Sequence, residues 1–251
     1  MNNVSETPVT THHLFKVFAL FIMTIDHIGA YLYPDQFWFR SIGHIASPVW
    51  FFLIGHAPQR PVTRDWALWA LVLAVLNPFL GAGLLPLNTL VTLAVCRIAI
   101  IQVEKREMLD REPLVLILAS FLLLLPSFIL MEYGSIGFLF ALMGYAVRTG
   151  KMDWRRGKLV TLAALAMYFS IQNQSHPHTT EQTALFIAGT LVVVYLLSRF
   201  KYRKVDSVPR GLRKPIYWLS HHSMQYYVVH RVVLQAIGLT AGILDPTLRL
   251  V

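Results

Sequence analysis

The chain has 251 residues, 55% hydrophobic and 14% charged, with 22 basic against 13 acidic side chains and a net charge of +9. Soluble domains carry roughly 45–50% apolar and about 25% charged residues, so the composition excludes a disordered chain and argues against a soluble globule, which would lack polar side chains to cover its surface. The single cysteine, Cys96, excludes an internal disulfide framework and any multi-cysteine metal site.

What remains is a membrane protein with several spans. A bilayer-crossing helix needs about 20 mostly apolar residues. In chain order, apolar runs fall at 14–33, 37–57, 66–85, 87–103, 113–131, 134–147, 159–172, 182–200 and 215–240. The sixth and seventh are short. The ninth is interrupted by Ser220, His221 and His222, and reads either as one tilted helix or as an interfacial helix followed by a span. Lipid offers no partner to open backbone groups, and strand-like alternation is absent. The expected fold is therefore an all-α, polytopic transmembrane helical bundle of about nine or ten spans. Residues 1–13 read as a cytoplasmic N-terminal segment, 14–243 as one transmembrane domain and 244–251 as a short tail. The first run carries Asp26 and His27 and is too long for the apolar part of a signal peptide, so it reads as a retained span.

The basic residues orient the chain. Eighteen of them lie in or beside the loops after the even-numbered runs, from Arg60 and Arg64 through Arg97, Lys105 and Arg106 to Lys158, Arg199, Arg213 and Lys214. The loops after the first, third, fifth and seventh runs hold only Arg40. This positive-inside bias puts the N-terminus in the cytoplasm. It also accounts for the net charge without nucleic acid, and brings the basic loops to anionic lipid headgroups.

Ionisable groups inside spans are costly and mark function. Asp26, His27, Arg40, His44 and His230 lie within spans, and Asn88, Glu132 and Tyr133 lie at their ends. On this topology all of them fall toward the outer leaflet. His27 is 11 residues beyond Lys16, roughly 16 Å along a helix. Lys16, His56 and Arg97 fall toward the inner side. Each also has a plainer reading. Asp26 and His27 point about 100° apart on a helix, so Asp26 serves as readily as a clamp for Arg40. His44 suits helix packing, Glu132 a solvated edge, and His12 and His13 a solvated end. No metal site is expected; the pair His176 and His178 is at best a loose chelate. HExxH, P-loop and nucleophile-elbow patterns are absent. A buried histidine near a carboxylate and an arginine suits general-base catalysis on an amine or hydroxyl, with a cation to stabilise an oxyanion.

The stretch from Lys16 to Asp26-His27, with Ala19 and Met23 between, is followed by Arg40, Gly43-His44, Ala46 and Pro48. Together they resemble the TraX family, named for the acetylase of F-type conjugative pilin. Asn88-Thr89, Tyr133-Gly134 and Tyr226 through His230 add weaker matches. His44 stands where the family pattern carries Arg, and Glu132 precedes Tyr133 where Asp or a small polar residue is usual. The eleven-residue spacing of Lys16 and His27 is also similar to the acyltransferase-3 and heparan-glucosaminide acetyltransferase group.

The resemblance implies a multi-pass acetyltransferase of the bacterial inner membrane. Acetyl-coenzyme A would arrive from the cytoplasm, and the acceptor would be the N-terminal amine of a pilin at the outer side. His27 is then the expected base, oriented or charge-balanced by Asp26, with Arg40 on the oxyanion or on Asp26. His230 is a second base or an acetyl carrier. Lys16, Arg97, Arg213 and Lys214 are candidate phosphate contacts, and His44, Asn88, Glu132 and Tyr133 complete the binding set. Three rivals remain: acetylation of an envelope glycan or lipid, a proton-coupled transporter, and a non-catalytic membrane assembly factor.

Overall fold

The computed structural model describes residues 8–58, 61–80, 83–175 and 179–244. Arg60, His176 and His178 lie outside the described residues. Among the described residues the chain is all-helical, with only two isolated backbone bridges, Thr10 to Lys204 and Leu87 to Met131, in place of strands. The helices are α1 (Thr11–Leu32), α2 (Phe37–Gly43), a 3-10 turn (His44–Ala46), α3 (Ser47–His56), α4 (Arg64–Phe79), α5 (Thr89–Lys105), α6 (Met108–Arg111), α7 (Pro113–Leu122), α8 (Leu124–Leu130), α9 (Gly134–Arg148), α10 (Gly157–Ser175), α11 (Thr180–Ser198), α12 (Arg210–His221) and α13 (Ser223–Thr240).

Two helices, α1 and α11, are long and apolar enough to cross a membrane, and the pair α7 and α8 makes a third if its 58° bend lies within one span. Nine or ten spans are not supported. The cause is local. Helices α4, α5 and α9 have 16, 17 and 15 residues, about 23–26 Å of rise against a hydrocarbon core of about 30 Å. Run 37–57 is split by the 3-10 turn at His44–Ala46. Run 113–131 bends at Leu123, because Pro126 has no N–H for the carbonyl of Leu122 and its ring crowds that carbonyl. Run 215–240 breaks at His222, between α12 and α13.

The first helix starts three residues before the predicted run. Thr10 caps it by accepting from the His13 amide, while the His13 ring accepts from the Thr10 amide, a reciprocal capping box. His13 also meets Tyr217 edge-on, so it is not a freely solvated end.

Helix α9 is buried on nearly every side, from Gly134 to Ala146, and is packed on by α3, α5, α8 and α10. A helix apolar all round belongs at the centre of a bundle. It crosses α3 at small residues. A Cβ on Gly144 would sit 2.1 Å from the carbonyl oxygen of Phe52, and one on Gly55 would sit 1.7 Å from that of Ala141. Such contact between backbones is the packing that apolar surroundings favour, where hydrophobic burial offers no net gain. Around this centre, Phe21, Leu71, Leu118, Leu122 and Val192 on α1, α4, α7 and α11 present large apolar side chains outward, as lipid-facing helices of a membrane protein do.

Candidate active site

Helices α1 and α13 run side by side in the same direction. Lys16 reaches Ser220 and Ser223, Thr24 meets Tyr226, and His27 meets His230, so the partners advance together along both chains. The Thr24 hydroxyl donates to the Leu20 carbonyl at 2.8 Å, which leaves its oxygen to accept from the Tyr226 hydroxyl at 2.9 Å. One turn further, His27 Nδ1 and His230 Nε2 lie 2.8 Å apart, with the rings stacked at 17°. His230 Nδ1 lies 2.7 Å from the Tyr226 carbonyl.

These contacts fix the tautomers of the neutral pair. A carbonyl only accepts, so His230 Nδ1 carries the proton. His230 Nε2 is then an acceptor, and His27 Nδ1 must donate to it. The free lone pair of the relay is left on His27 Nε2.

Asp26 does not orient His27. Its Oδ2 accepts from Arg40 Nη1 at 2.7 Å, and its Oδ1 lies 3.7 Å from His44 Nε2. The clamp reading of Asp26 is therefore the observed geometry. The backbone of α2 is pressed against Asp26 at Gly43, where a Cβ would stand 2.1 Å from the Asp26 Cβ. Asp26 Oδ1 is buried and accepts no hydrogen bond among the described residues. A buried acceptor without a donor is expensive.

Asp26 and His27 line a small cavity with Gly43, Ser47, Tyr133 and Tyr227, walled by Met23, Trp50 and Phe51. Its volume is about 40 Å³, room for about three waters at 10–15 Å³ each. The Tyr133 hydroxyl accepts from Ser47 Oγ at 2.8 Å. Tyr133 holds a left-handed backbone conformation, φ 66°, at the start of α9. Tyr168 donates to the His44 carbonyl at 2.6 Å and supports the turn that carries His44.

Glu132 is anchored and not merely solvated at an edge. The backbone of Leu87 pairs with Leu130 and Glu132 at 2.8 and 3.0 Å. This places the Glu132 carboxylate on the first turn of α5, where the Thr89 amide donates to Oε2 at 2.9 Å and the Thr89 hydroxyl donates as well. A carboxylate there also meets the positive end of the helix dipole. Its other oxygen accepts from Arg231 Nη1 at 3.1 Å, and the same guanidinium donates to the Tyr227 hydroxyl at 2.9 Å. Arg231 is 8% exposed and escaped the sequence reading. Its sequence signal is an arginine beside His230 within an apolar run.

Three predicted binding residues have structural employment. Asn88 caps α5 through Oδ1 and donates from Nδ2 to the Ala70 carbonyl. Arg97 caps the C-terminal end of α3, donating to the carbonyls of Ile54, Ala57 and Pro58. Lys16 donates to the Ser220 carbonyl and Ser223 hydroxyl, bridging the break between α12 and α13. Lys16 and Arg97 therefore stand apart from the cluster that unites Asp26, His27, Arg40, His44, Tyr133, His230 and, through Tyr227, Glu132. Arg213 donates to the carbonyls of Asp206 and Val208, in the loop that precedes its helix α12. Among the described residues no three His, Cys, Asp or Glu side chains gather as metal ligands.

No solved structure matches the chain. It is 34% identical over 91 residues to an uncharacterized protein of Rickettsia prowazekii (strain Madrid E), a match that covers 36% of each chain. The chain thus spans only about a third of that relative's length. The family model described as TraX protein matches residues 11–238, from the start of α1 nearly to the end of α13, so the chain belongs to the TraX family.

Proposed function

We propose that this protein is a multi-pass acetyltransferase of the bacterial inner membrane, with its N-terminus in the cytoplasm. It would move an acetyl group from cytoplasmic acetyl-coenzyme A to the N-terminal amine of a pilin at the outer side. The family is associated with pilin acetylation in conjugation. The observation that carries the reading is the hydrogen-bonded pair of His27 and His230 beside the cavity, with its lone pair on His27 Nε2.

Acetyl-coenzyme A supplies the acetyl thioester. His27 Nε2 takes the proton of the attacking amine and later returns it to the departing thiol. His230 accepts from the His27 Nδ1–H and holds that tautomer through the whole cycle, the task a carboxylate performs in a catalytic triad. Asp26 Oδ1 accepts a second N–H of the amine and so aims its lone pair. Tyr133 donates its hydroxyl proton to the oxyanion of the tetrahedral intermediate. Arg40 holds Asp26 in place through its hydrogen bond to Oδ2. At the cytoplasmic end, exposed Arg210 and Lys214 on the first turns of α12 suit the cofactor's phosphates, whereas Arg97 is committed to α3.

The test is acetylation of a synthetic pilin N-terminal peptide by the protein reconstituted in liposomes with acetyl-coenzyme A, read by mass spectrometry. His27→Gln should lower it by roughly two to four orders of magnitude. Equal activity in that variant would remove His27 from the role. Acetyl groups recovered on an envelope glycan or lipid would keep the chemistry and change the acceptor.

A further inference from the structure

A second cavity, about 570 Å³, opens between α10 and α11 and shares no lining residue with the acid–base cluster. It lies where α10 begins and α11 ends, so both helices present the same end to it. Leu162, Leu165 and Leu191 give it an apolar wall, and Lys158 and Arg199 line it as well. Among the described residues neither cation has a carboxylate partner. Instead Lys158 Nζ lies 4.8 Å from the centre of the Trp154 ring, and the Arg199 guanidinium 5.8 Å from that of Tyr195. Both rings are themselves exposed. Two neighbouring cations differ in this respect. Lys151 is neutralised by Asp110, and Arg156 by Asp110 and Asp153.

Helix α11 has 19 residues, about 28 Å of rise, and is one of the two helices long and apolar enough to cross a membrane. Its end at Ser198, with the start of α10 beside it, therefore falls at the level of the headgroups, where Trp and Tyr settle and lysine and arginine meet anionic lipid. The groove thus offers two uncompensated positive charges at headgroup depth, aromatic walls beside them and a leucine-lined trough leading into the membrane. We propose that it binds one anionic phospholipid, with the phosphate between Lys158 and Arg199 and an acyl chain along Leu162, Leu165 and Leu191. Two cations select an anionic headgroup over a zwitterionic one, whose own ammonium would be held against them.

Native mass spectrometry of the full chain in mild detergent, titrated with phosphatidylglycerol or phosphatidylcholine, tests this. The unaltered protein should retain one phosphatidylglycerol in preference to phosphatidylcholine. The double variant Lys158→Gln, Arg199→Gln should lose that preference by roughly thirtyfold, from two near-surface cations. Arg155→Gln with Lys201→Gln removes the same charge outside the groove and should leave it intact. Leu191→Trp keeps both cations but fills the trough, and should also lose the lipid. Equal losses in the two charge pairs, or undiminished retention in Leu191→Trp, would overturn the proposal. So would displacement of the lipid by inorganic phosphate at constant ionic strength, which would mark a site for a soluble anion.

Discussion

Arg231 and Glu132, ninety-nine residues apart in sequence, meet at 3.1 Å between the last helix and the loop that opens α9. The pair joins three elements, because Glu132 also holds the first turn of α5 through Thr89. Removing one member leaves a charge with little water around it. Arg231→Met should destabilise the fold by about 3 kcal/mol, the lower end for a buried pair because Glu132 keeps some exposure. Thermal unfolding in detergent measures it. The double variant Arg231→Met, Glu132→Met should be more stable than Arg231→Met alone, since it leaves no orphan charge.

On the proposed mechanism the histidine pair separates a base from the residue that positions it. His27→Gln should lower kcat for acetyl transfer by roughly 10²–10⁴-fold, the usual contribution of a general base. His230 acts through His27, so His230→Gln, whose side-chain oxygen can accept from His27 Nδ1, should retain more activity than His230→Val. Matching losses in those two variants would count against the relay. Steady-state turnover with varied acetyl-coenzyme A distinguishes these outcomes.

Close backbone approaches give a different kind of test. Alanine ordinarily favours a helix over glycine by up to about 1 kcal/mol. At Gly144 the added methyl would lie 2.1 Å from a backbone oxygen, so sterics decide the sign. Gly144→Ala should lower stability by about 1–3 kcal/mol, as overpacking does, seen as an earlier unfolding midpoint. Gly43→Ala would push on Asp26 and should reduce acetyl transfer more than it reduces stability.

Outside the spans, Asp110 ties α6 to the segment after α9. Hydrogen bonding from Lys151, then from Arg156, holds its carboxyl below the ordinary aspartate range. A carboxyl so depressed stabilises the fold above its unfolded pKa of about 3.9, and the contribution is lost as pH falls through the lower folded value. The unaltered protein should therefore lose its advantage over Asp110→Asn below about pH 4. Unfolding midpoints of both proteins across pH 3–6, a range set about that value, give the check. The difference should be small even at pH 6, because these side chains are largely hydrated.

Apolar run length revealed where helices lie but not every break. Ser220, His221 and His222 marked the interruption of the last run, and Pro126 is the local cause of the bend at Leu123, whereas the interruption at His44–Ala46 depends on which backbone groups find partners once neighbours are packed. Polar residues in apolar runs led to Asp26, His27, Arg40 and His230. Pairing was another matter. Adjacent Asp26 and His27 invite a carboxylate–histidine dyad, yet they point to different helices, Asp26 to Arg40 and His27 to His230. Arg97 and Asn88 looked like ligand contacts, because side-chain type cannot tell a free donor from one that caps a helix.

The parallel pairing of α1 and α13 makes the candidate site a conjunction of two distant stretches of chain, 203 residues apart at the histidines. A fragment ending anywhere between them carries one histidine of the pair without the other. On the proposed function, only arrival of the last helix against the first completes the relay. Two co-expressed fragments, divided in the loop after α9, should together restore what neither supplies alone.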